Sequence, residues 1–162
     1  MFKSIAFSAA FLMSVATSLV AQTNINLGGV SVDTSAAIEV AADSLSVDQD
    51  TGTAVFVGNV VIGQGELRLS AGRVEVIYAE ETSDIARLIA SDNVMFVTAT
   101  EAAEAQNADY DITSGMLTLT GNVLLTQGAS AISAERMIVN VTDGTATMQG
   151  RVRTVFQQGT SQ

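Results

Sequence analysis

The sequence contains no cysteine and no histidine among its 162 residues. The absence of cysteine excludes a disulfide framework and thiol chemistry, and it fits any cellular compartment. Together the two absences exclude zinc sites of the usual kind, Ser-His-Asp and Cys-His nucleophiles, and acid–base catalysis by histidine. An enzyme built on this chain would depend on carboxylates, arginine, tyrosine or a metal bound by oxygen alone.

Basic and aromatic residues are scarce. Seven Lys and Arg stand against 17 Asp and Glu, which gives a net charge of -10, so nucleic acid is not expected as a partner. Aromatic residues make up 5% of the chain, whereas 48% is hydrophobic, mostly Val, Ile, Leu and Ala beside many Thr and Gly. This composition is typical of β-sheet, and the length suits one domain.

The N-terminal segment, residues 1–21, is predicted to be a secretory signal peptide. Lys3 gives a short basic start, and Ile5 to Val20 is nearly all apolar or small. Cleavage after Ala21, or alternatively after Ser18, would leave the mature chain outside the cytoplasm. The alternative is an uncleaved anchor helix, although the run falls short of the roughly 20 residues that span a bilayer.

A polar lead-in, residues 22–37, and a tail, residues 157–162, flank a predicted domain at 38–156. Within that domain "FVGNVVIGQG" at 56–65 and "LTGNVLLTQG" at 119–128 share one frame. The frame is marked four times, at Gly58-Asn59-Val60, Asp92-Asn93-Val94, Gly121-Asn122-Val123 and Gly150-Arg151-Val152. A second marker runs in step with it at Ala42, Ala71, Ala105 and Ala134. The pattern predicts four repeats of about 29 residues, each building one structural rung.

Alternation with period two predicts that one face of the strands is interior. The positions on that face are all apolar: Ala54, Phe56, Val60, Ile62, Leu88, Ala90, Val94, Phe96, Leu117, Leu119, Val123, Leu125, Ala146, Met148 and Val152. We therefore predict an all-β, antiparallel or solenoid-like fold of about sixteen short strands, with corners or bulges at the marker residues. Residues 101–109 have helical propensity, but their register in the repeat predicts a strand.

Few polar residues form patterns that suggest chemistry. Asn59, Asn93 and Asn122 are expected to tolerate strained corners rather than to form a polar ladder for sugar or ions. Asp109 and Asp111 would share a face, as paired catalytic carboxylates or a cation site do, but neither has a second cluster to work with. No catalytic residue, metal site or cofactor is therefore predicted.

Three stretches in order, residues 38–45, 56–65 and 69–74, resemble the OstA-like domain of LptA-type lipopolysaccharide transport proteins. The resemblance covers about residues 38 to 155, and it departs from the family pattern at Asp92 and Arg151. It implies a β-jellyroll open along one side, often described as a β-taco, whose apolar groove holds lipopolysaccharide acyl chains in the periplasm. It further implies joining end to end, with LptC-like and LptD-like jellyroll domains or with further copies, as a bridge between the inner and outer membranes.

The resemblance assigns candidate sites to larger side chains on the predicted inner face. The residues expected to line the groove are Ile38, Val40, Phe56, Phe96, Tyr110, Leu119 and Met148. The candidates for lipid phosphates are Arg68, Arg73 and Arg136. For each apolar residue, simple core packing is the alternative.

Three other functions remain open at this point. An uncleaved anchor at residues 5–20 would make the chain an LptC-like, membrane-anchored transport component. A structural β-solenoid, such as a filament or adhesin module, would show the same repeats around a closed interior. A β-helix enzyme acting on polysaccharide would need acids gathered on one surface, whereas those of this chain are scattered.

Overall fold

Strands account for every regular element in the part of the chain that the structure, a computed structural model, describes. That part comprises residues 23–26 and 35–156, so the predicted signal peptide and the predicted tail lie outside the described residues. It contains no helix that is long and apolar enough to cross a membrane. The strands are β1 (Thr23–Asn26), β2 (Ile38–Ala41), β3 (Ser44–Asp48), β4 (Thr53–Gln64), β5 (Leu67–Tyr78), β6 (Ile85–Val97), β7 (Glu101–Asp111), β8 (Met116–Gln127), β9 (Ser130–Asn140), β10 (Thr145–Gln149) and β11 (Arg153–Phe156).

All the strands join one antiparallel sheet that does not close. The order is β1-β10-β9-β8-β7-β6-β5-β4-β2, while β3 also pairs with β4 and β11 also pairs with β9. Strand β4 therefore carries β2 along one half of its length and β3 along the other. Strand β9 carries β11 and β10 in the same way. Short strands can pair with separate halves of a long one because the long strands bend.

The bends lie at the marker residues. The ladder between β4 and β5 shifts register between Val57 and Val60, and comparable shifts recur in β6 and β8. At these points Asn59, Asn93 and Asn122 adopt φ angles of 46°, 59° and 48°, which Asn tolerates better than most side chains. A bulge of this kind unpairs the ladder locally and turns the strand, which confirms the predicted role of the asparagines as corners.

The bends divide the sheet into two facing layers. Layer 1 consists of β1, β3 and β10 with residues 53–57, 73–78, 85–91, 107–111, 116–120 and 136–140. Layer 2 consists of β2 and β11 with residues 60–64, 67–71, 94–97, 101–105, 123–127 and 130–134. The two layers are continuous along the row of bends, and their other margins, formed by the hairpin turns, are called the lips below.

The predicted inner face is the core. Of the positions on that face, all are buried except Phe56 and Val152, which are partly buried and pack against the buried cluster. Residues 101–109 form most of β7, so the register overrides their helical propensity as predicted. The fold class, an open antiparallel β-jellyroll, is confirmed.

The number of strands differs from the predicted sixteen or so. The described residues form eleven strands, because β4 to β9 continue through their bends and each is one strand where two were expected. The number of repeats stays a prediction. The lead-in, for which no strand was expected, supplies β1, which pairs with β10 at the far end of the sheet.

Glycine at the bends makes room for a side chain from the neighbouring strand. At Gly121, with φ +85°, a Cβ would lie 2.5 Å from Oε1 and 2.9 Å from Cβ of Gln106. Asp43 lies against Gly58, and Glu135 lies against Gly150, in the same manner. At these three bends the marker glycine thus makes room for a polar side chain.

Replacing Gly121 by alanine should therefore destabilise the fold more than the same change at a turn. Gly128 is the matched control, because its φ is also positive at +57° but a Cβ added there would meet nothing within 4 Å. Gly128→Ala should cost about 1 kcal/mol for the left-handed backbone, and Gly121→Ala about 1–3 kcal/mol more for the steric overlap. Urea unfolding checks this expectation, and equal losses in the two variants would contradict it.

Candidate functional site

In the part of the chain that the structure describes, the space between the two layers is concave and apolar. Every strand pair from β4 to β9 contributes inner-face residues from both of its halves, so the lining runs without interruption along the stack. The layers are covalently continuous at the bends, while no ladder joins the lips in the described residues. This arrangement suits a ligand that offers apolar surface and few hydrogen bonds.

The predicted groove residues fall into two groups. Phe96, Tyr110, Leu119 and Met148 lie deep inside, with 1%, 4%, 0% and 0% of their surfaces exposed. The others, Ile38, Val40 and Phe56, are partly buried and pack against the core at the end of the stack formed by β2 and β3. The structure therefore places all seven predicted residues on one continuous interior, four of them in its core and three at its end.

The interior is tightly packed. A cavity between the layers has a volume of about 10 Å³, which is room for no more than one water molecule. It is lined by Ile38, Ile62, Gln64, Leu67, Leu69, Leu88, Tyr110 and Leu117. An acyl chain fits between the layers only if the lips move apart.

A side-chain hydrogen bond between Tyr110 and Gln64 crosses between the layers. The Tyr110 hydroxyl of layer 1 donates to Oε1 of Gln64 in layer 2 at 3.2 Å, and Gln64 Nε2 donates to the Ala36 carbonyl at 3.3 Å. Burial raises the pKa of the Tyr110 hydroxyl above its ordinary value. This bond thus joins the lips near the β2 end, and a ligand that separates the lips there must break it.

Three polar residues follow the inner side of the layer 2 lip: Gln64, Glu101 and Gln127. Sequence reasoning missed them, although Gln64 and Gln127 occupy the same place in the repeated frame that ends in Gln-Gly. That shared position was the available signal. The apolar lining therefore ends in a polar margin along this lip.

Glu101 is the buried charge in that margin, with 3% of its surface exposed. Its carboxylate accepts hydrogen bonds from the hydroxyls of Thr98 and Thr100, at 2.8 and 2.6 Å, and from Nε2 of Gln127 at 3.0 Å. Hydrogen bonds to a carboxylate offset the cost of removing it from water. The cluster fixes the turn between β6 and β7 and links it to β8.

The candidate arginines are not brought together. Arg73 and Arg136 lie on the outer side of layer 1 in one row, four strands apart, a separation of about 19 Å at the usual strand spacing. Arg68 lies in layer 2, where its Nη1 donates to the carbonyls of Gly65 and Leu67 at 2.8 and 2.9 Å. A phosphate role for each of them stays a prediction.

The acids that suggested other chemistry have structural partners. Asp109 forms an ion pair with Arg87 on the neighbouring strand. Asp111 accepts the Ser114 backbone N–H at 3.0 Å, and this bond lowers the pKa of its carboxyl group. Within residues 23–26 and 35–156, no three acidic side chains are grouped so that they could hold a metal ion.

Burial of the Tyr110 hydroxyl raises its pKa and thereby makes stability depend on alkaline pH. Because the folded pKa is raised, the contribution of Tyr110 is fully present below the unfolded value of about 10 and is lost as the pH rises through the folded value. Tyr110→Phe should cost about 1 kcal/mol at neutral pH, since Gln64 loses a donor, and should flatten the fall in stability above pH 10. Urea unfolding from pH 8 to 11, with Tyr78→Phe as control, measures both effects, and an unchanged alkaline slope would contradict the assignment.

Comparison with known proteins identifies the family. Residues 39–145 match the family model described as LptA/(LptD N-terminal domain) LPS transport protein. An uncharacterized protein, R00383, from Rhizobium meliloti (strain 1021) is 25% identical over 115 residues, which cover 66% of this chain and 62% of that protein. The chain thus spans less than two thirds of the length of that relative.

A solved structure shares the fold. The crystal structure of LptH from Pseudomonas aeruginosa, described as the LptA homologous periplasmic component of the lipopolysaccharide transport device, superposes with a TM-score of 0.70. The match covers 78% of this chain and 99% of LptH, at 18% sequence identity. Since the family model covers well over half of the chain and the fold agrees with it, the protein belongs to the LptA/LptD N-terminal domain family of lipopolysaccharide transport proteins.

Proposed function

We propose that this chain is a periplasmic carrier of lipopolysaccharide, which holds acyl chains between the two layers of its jellyroll. The observation that carries the proposal is the uninterrupted apolar interior of a sheet that does not close. Acyl chains need apolar surface rather than hydrogen bonds. Most of the residues that line the cavity between the layers are apolar, and acyl chains can replace the contacts among them.

The tight packing between the layers determines how lipopolysaccharide would enter. The cavity between the layers, of about 10 Å³, is far smaller than an acyl chain, so the ligand must separate the lips. The ladder hydrogen bonds run from strand to strand along each layer, and separating the lips leaves them intact. The end formed by β2 and β3 is the proposed point of entry, because Ile38, Val40 and Phe56 are already partly exposed there.

The chain is further proposed to act as part of a bridge between the two membranes. Within the described residues, the outer edges of β2, β3 and β11 pair with no other strand. Such edges favour strand addition by another chain. LptC-like and LptD-like jellyroll domains or further copies are the proposed partners, and export with cleavage of residues 1–21 would deliver the chain to the periplasm.

A structural filament without cargo is the second candidate, and the narrow cavity favours it. The two functions differ in one observable. A lipid carrier retains lipopolysaccharide through contacts with its interior, whereas a filament remains lipid-free even when lipopolysaccharide is supplied.

Phe56→Asp should reduce lipopolysaccharide binding about tenfold or more, because an unpaired carboxylate on the inner face opposes apolar contact. Val57→Asp is the matched control, since Val57 is the next residue of β4 and lies on the outer face. Phe96 and Leu119 are less suitable, because both are fully buried and a charge there would unfold the chain.

Native mass spectrometry of residues 22–162, with lipopolysaccharide and in lipid-free buffer, measures the binding. Circular dichroism shows that each variant is folded. Binding by the wild type and by Val57→Asp, with loss in Phe56→Asp, supports the carrier. A lipid-free mass for the folded wild type under both conditions would instead support the filament.

A further inference from the structure

Basic residues are concentrated in the last part of the sheet. Residues 112–156, which contain β8 to β11, include Arg136, Arg151 and Arg153 against two acids, Glu135 and Asp143. The whole chain carries 17 acidic residues against 7 basic ones. This part of the sheet is therefore slightly positive on a strongly acidic protein, and it attracts anions that the rest of the surface repels.

A pocket lies on the outer side of the sheet in this region, at the bends of β8 and β9 and the corner between β10 and β11. Its volume is about 500 Å³, within the range of about 300–1,000 Å³ that is usual for small-molecule sites. Leu124 and Ser133 form a pair in the ladder, and their neighbours along each strand are buried, so both face outward. The polar lining consists of Asn122, Ser133, Glu135, Arg151 and Arg153.

The same bend geometry builds an equivalent pocket of about 340 Å³ at β4, β5 and β6. Its Asn59 corresponds to Asn122 in the repeated frame, so the shape recurs. The charge does not recur, because Asn93 stands where the first pocket has Arg151, and Asp92 adds a carboxylate. None of the described residues that line this equivalent pocket is basic. The bends therefore account for the shape of both pockets, whereas the arginines belong to the pocket at β8 to β11.

Glu135 holds the Arg151 guanidinium at the pocket. Arg151 Nε donates to Glu135 Oε1 at 2.7 Å, and Nη2 lies 2.6 Å from the same oxygen. Gly150 leaves room for this carboxylate, because a Cβ there would lie 2.6 Å from Glu135 Oε2. The Arg151 side chain is 85% exposed, so much of the guanidinium remains open to a ligand. An arginine held in this way is suited to bind a carboxylate or phosphate through two parallel hydrogen bonds.

Other polar groups of the pocket are available to a ligand. Within residues 23–26 and 35–156, the side chains of Arg153, Asn122 and Ser133 have no hydrogen-bond or ion-pair partner. Arg153 lies opposite Ser133 in the ladder between β11 and β9, so the two side chains share the outer face. With two arginines and one glutamate, the lining has a net charge of +1, which matches a ligand with one anionic group.

We propose that this pocket binds a free anionic sugar, which is a sugar that carries a carboxylate or phosphate group. Arg151 and Arg153 bind the anionic group. Asn122 and Ser133 hydrogen-bond ring hydroxyls, and Glu135 accepts from a hydroxyl through Oε2, which accepts no hydrogen bond within the described residues.

The composition of the lining favours a sugar over a simple anion. A bare anion would use the two arginines alone and would be repelled by Glu135, since an ionised carboxylate is an acceptor only. A sugar supplies hydroxyl donors for that carboxylate. Leu124, which is 37% exposed, offers apolar surface to the C–H groups of the ring.

The pocket is separate from the proposed lipid site. Residues 123–127 of β8, about 14 Å of extended strand, lie between this bend and the layer 2 lip. Acyl chains are proposed to enter by separating the lips, on the opposite margin of the layers. The inference therefore goes beyond the proposed carrier function and does not depend on it.

Heteronuclear NMR of residues 22–162 tests the site. Glucuronate and glucose-6-phosphate should shift the amide signals of Ser133, Glu135 and residues 151–153 with millimolar affinity. Glucose, acetate and inorganic phosphate should bind about tenfold more weakly, because each supplies only part of the contacts. Unchanged signals with both anionic sugars would overturn the site, and equal binding of acetate and glucuronate would overturn the assignment of a sugar.

Two variants and a matched control locate the anionic group. Arg153→Gln removes the guanidinium without a partner, and Arg151→Asn installs the residue of the three earlier markers; each should weaken glucuronate binding about tenfold. Arg136→Gln makes the same charge change in the same part of the sheet, but Arg136 does not line the pocket, so the affinity should change less than about twofold. Retained signal dispersion shows that each variant is folded. Equal losses in all three variants would overturn the pocket in favour of diffuse attraction.

Lipopolysaccharide distinguishes this site from the proposed groove. The chain loaded with lipopolysaccharide should keep its affinity for glucuronate, because the pocket and the lips lie apart. Loss of glucuronate binding after loading would mean that sugars of the bound lipid reach the pocket, and it would overturn a separate ligand. Lipid binding is measured without glucuronate and glucuronate binding without lipid, so failure of this site and failure of the carrier function are distinguishable.

Discussion

The fold depends on every long strand bending at the same level. If one long strand ran straight, both of its halves would lie in the same layer. The inner-face residues of one half would then have no facing layer to pack against. The chain meets this constraint with a left-handed backbone at each marker. At Gly58, Gly121 and Gly150 a polar side chain from the neighbouring strand lies across the marker, whereas at the second bend the Asp92 side chain lies against Gly72. The marker residues are therefore required by the geometry of the bend. Because each repeat contains the same bend, nearly the same strand sequence recurs.

Sequence periodicity was sufficient for the sheet and its inner face. A side chain alternates between faces with period two, and a slip of one residue would expose the whole core, so the register of strands such as β8 follows from its apolar positions. The marker spacing located the bends for the same reason. Residues 101–109 show the strength of this pattern, since local propensity favoured a helix and the register favoured a strand.

Other features depend on contacts between layers or between distant segments, which periodicity does not report. The strand at Thr23–Asn26 is too short to show a pattern, and its partner β10 lies more than a hundred residues away. The width of the interior depends on how closely the layers approach, and Tyr110 meets Gln64 only in three dimensions. Gln64 and Gln127 were visible as a repeated pair, but the burial of Gln64 depended on the lip that covers it.

The polar margin of the layer 2 lip needs hydrogen-bond partners, whereas the apolar lining of the interior needs to be shielded from water. Burial of Phe96 and Leu119 favours a closed sandwich, whereas Gln64, Glu101 and Gln127 need hydrogen-bond partners wherever they lie. In the closed form these needs are met within the chain, by Thr98, Thr100, Tyr110 and the Ala36 carbonyl among others. Water can replace such partners when the lips part, so the margin can become solvated while the lining remains dry.

The direction of the ladder hydrogen bonds makes the molecule mechanically anisotropic. These bonds lie along the stack in both layers, so stretching the stack would break many of them together. Spreading the lips would bend the sheet at its row of left-handed residues, which hold no ladder bonds at the bulge itself. Such a body is stiff in tension along its axis and compliant across it, and it can dilate around a cargo without shortening the span between its ends.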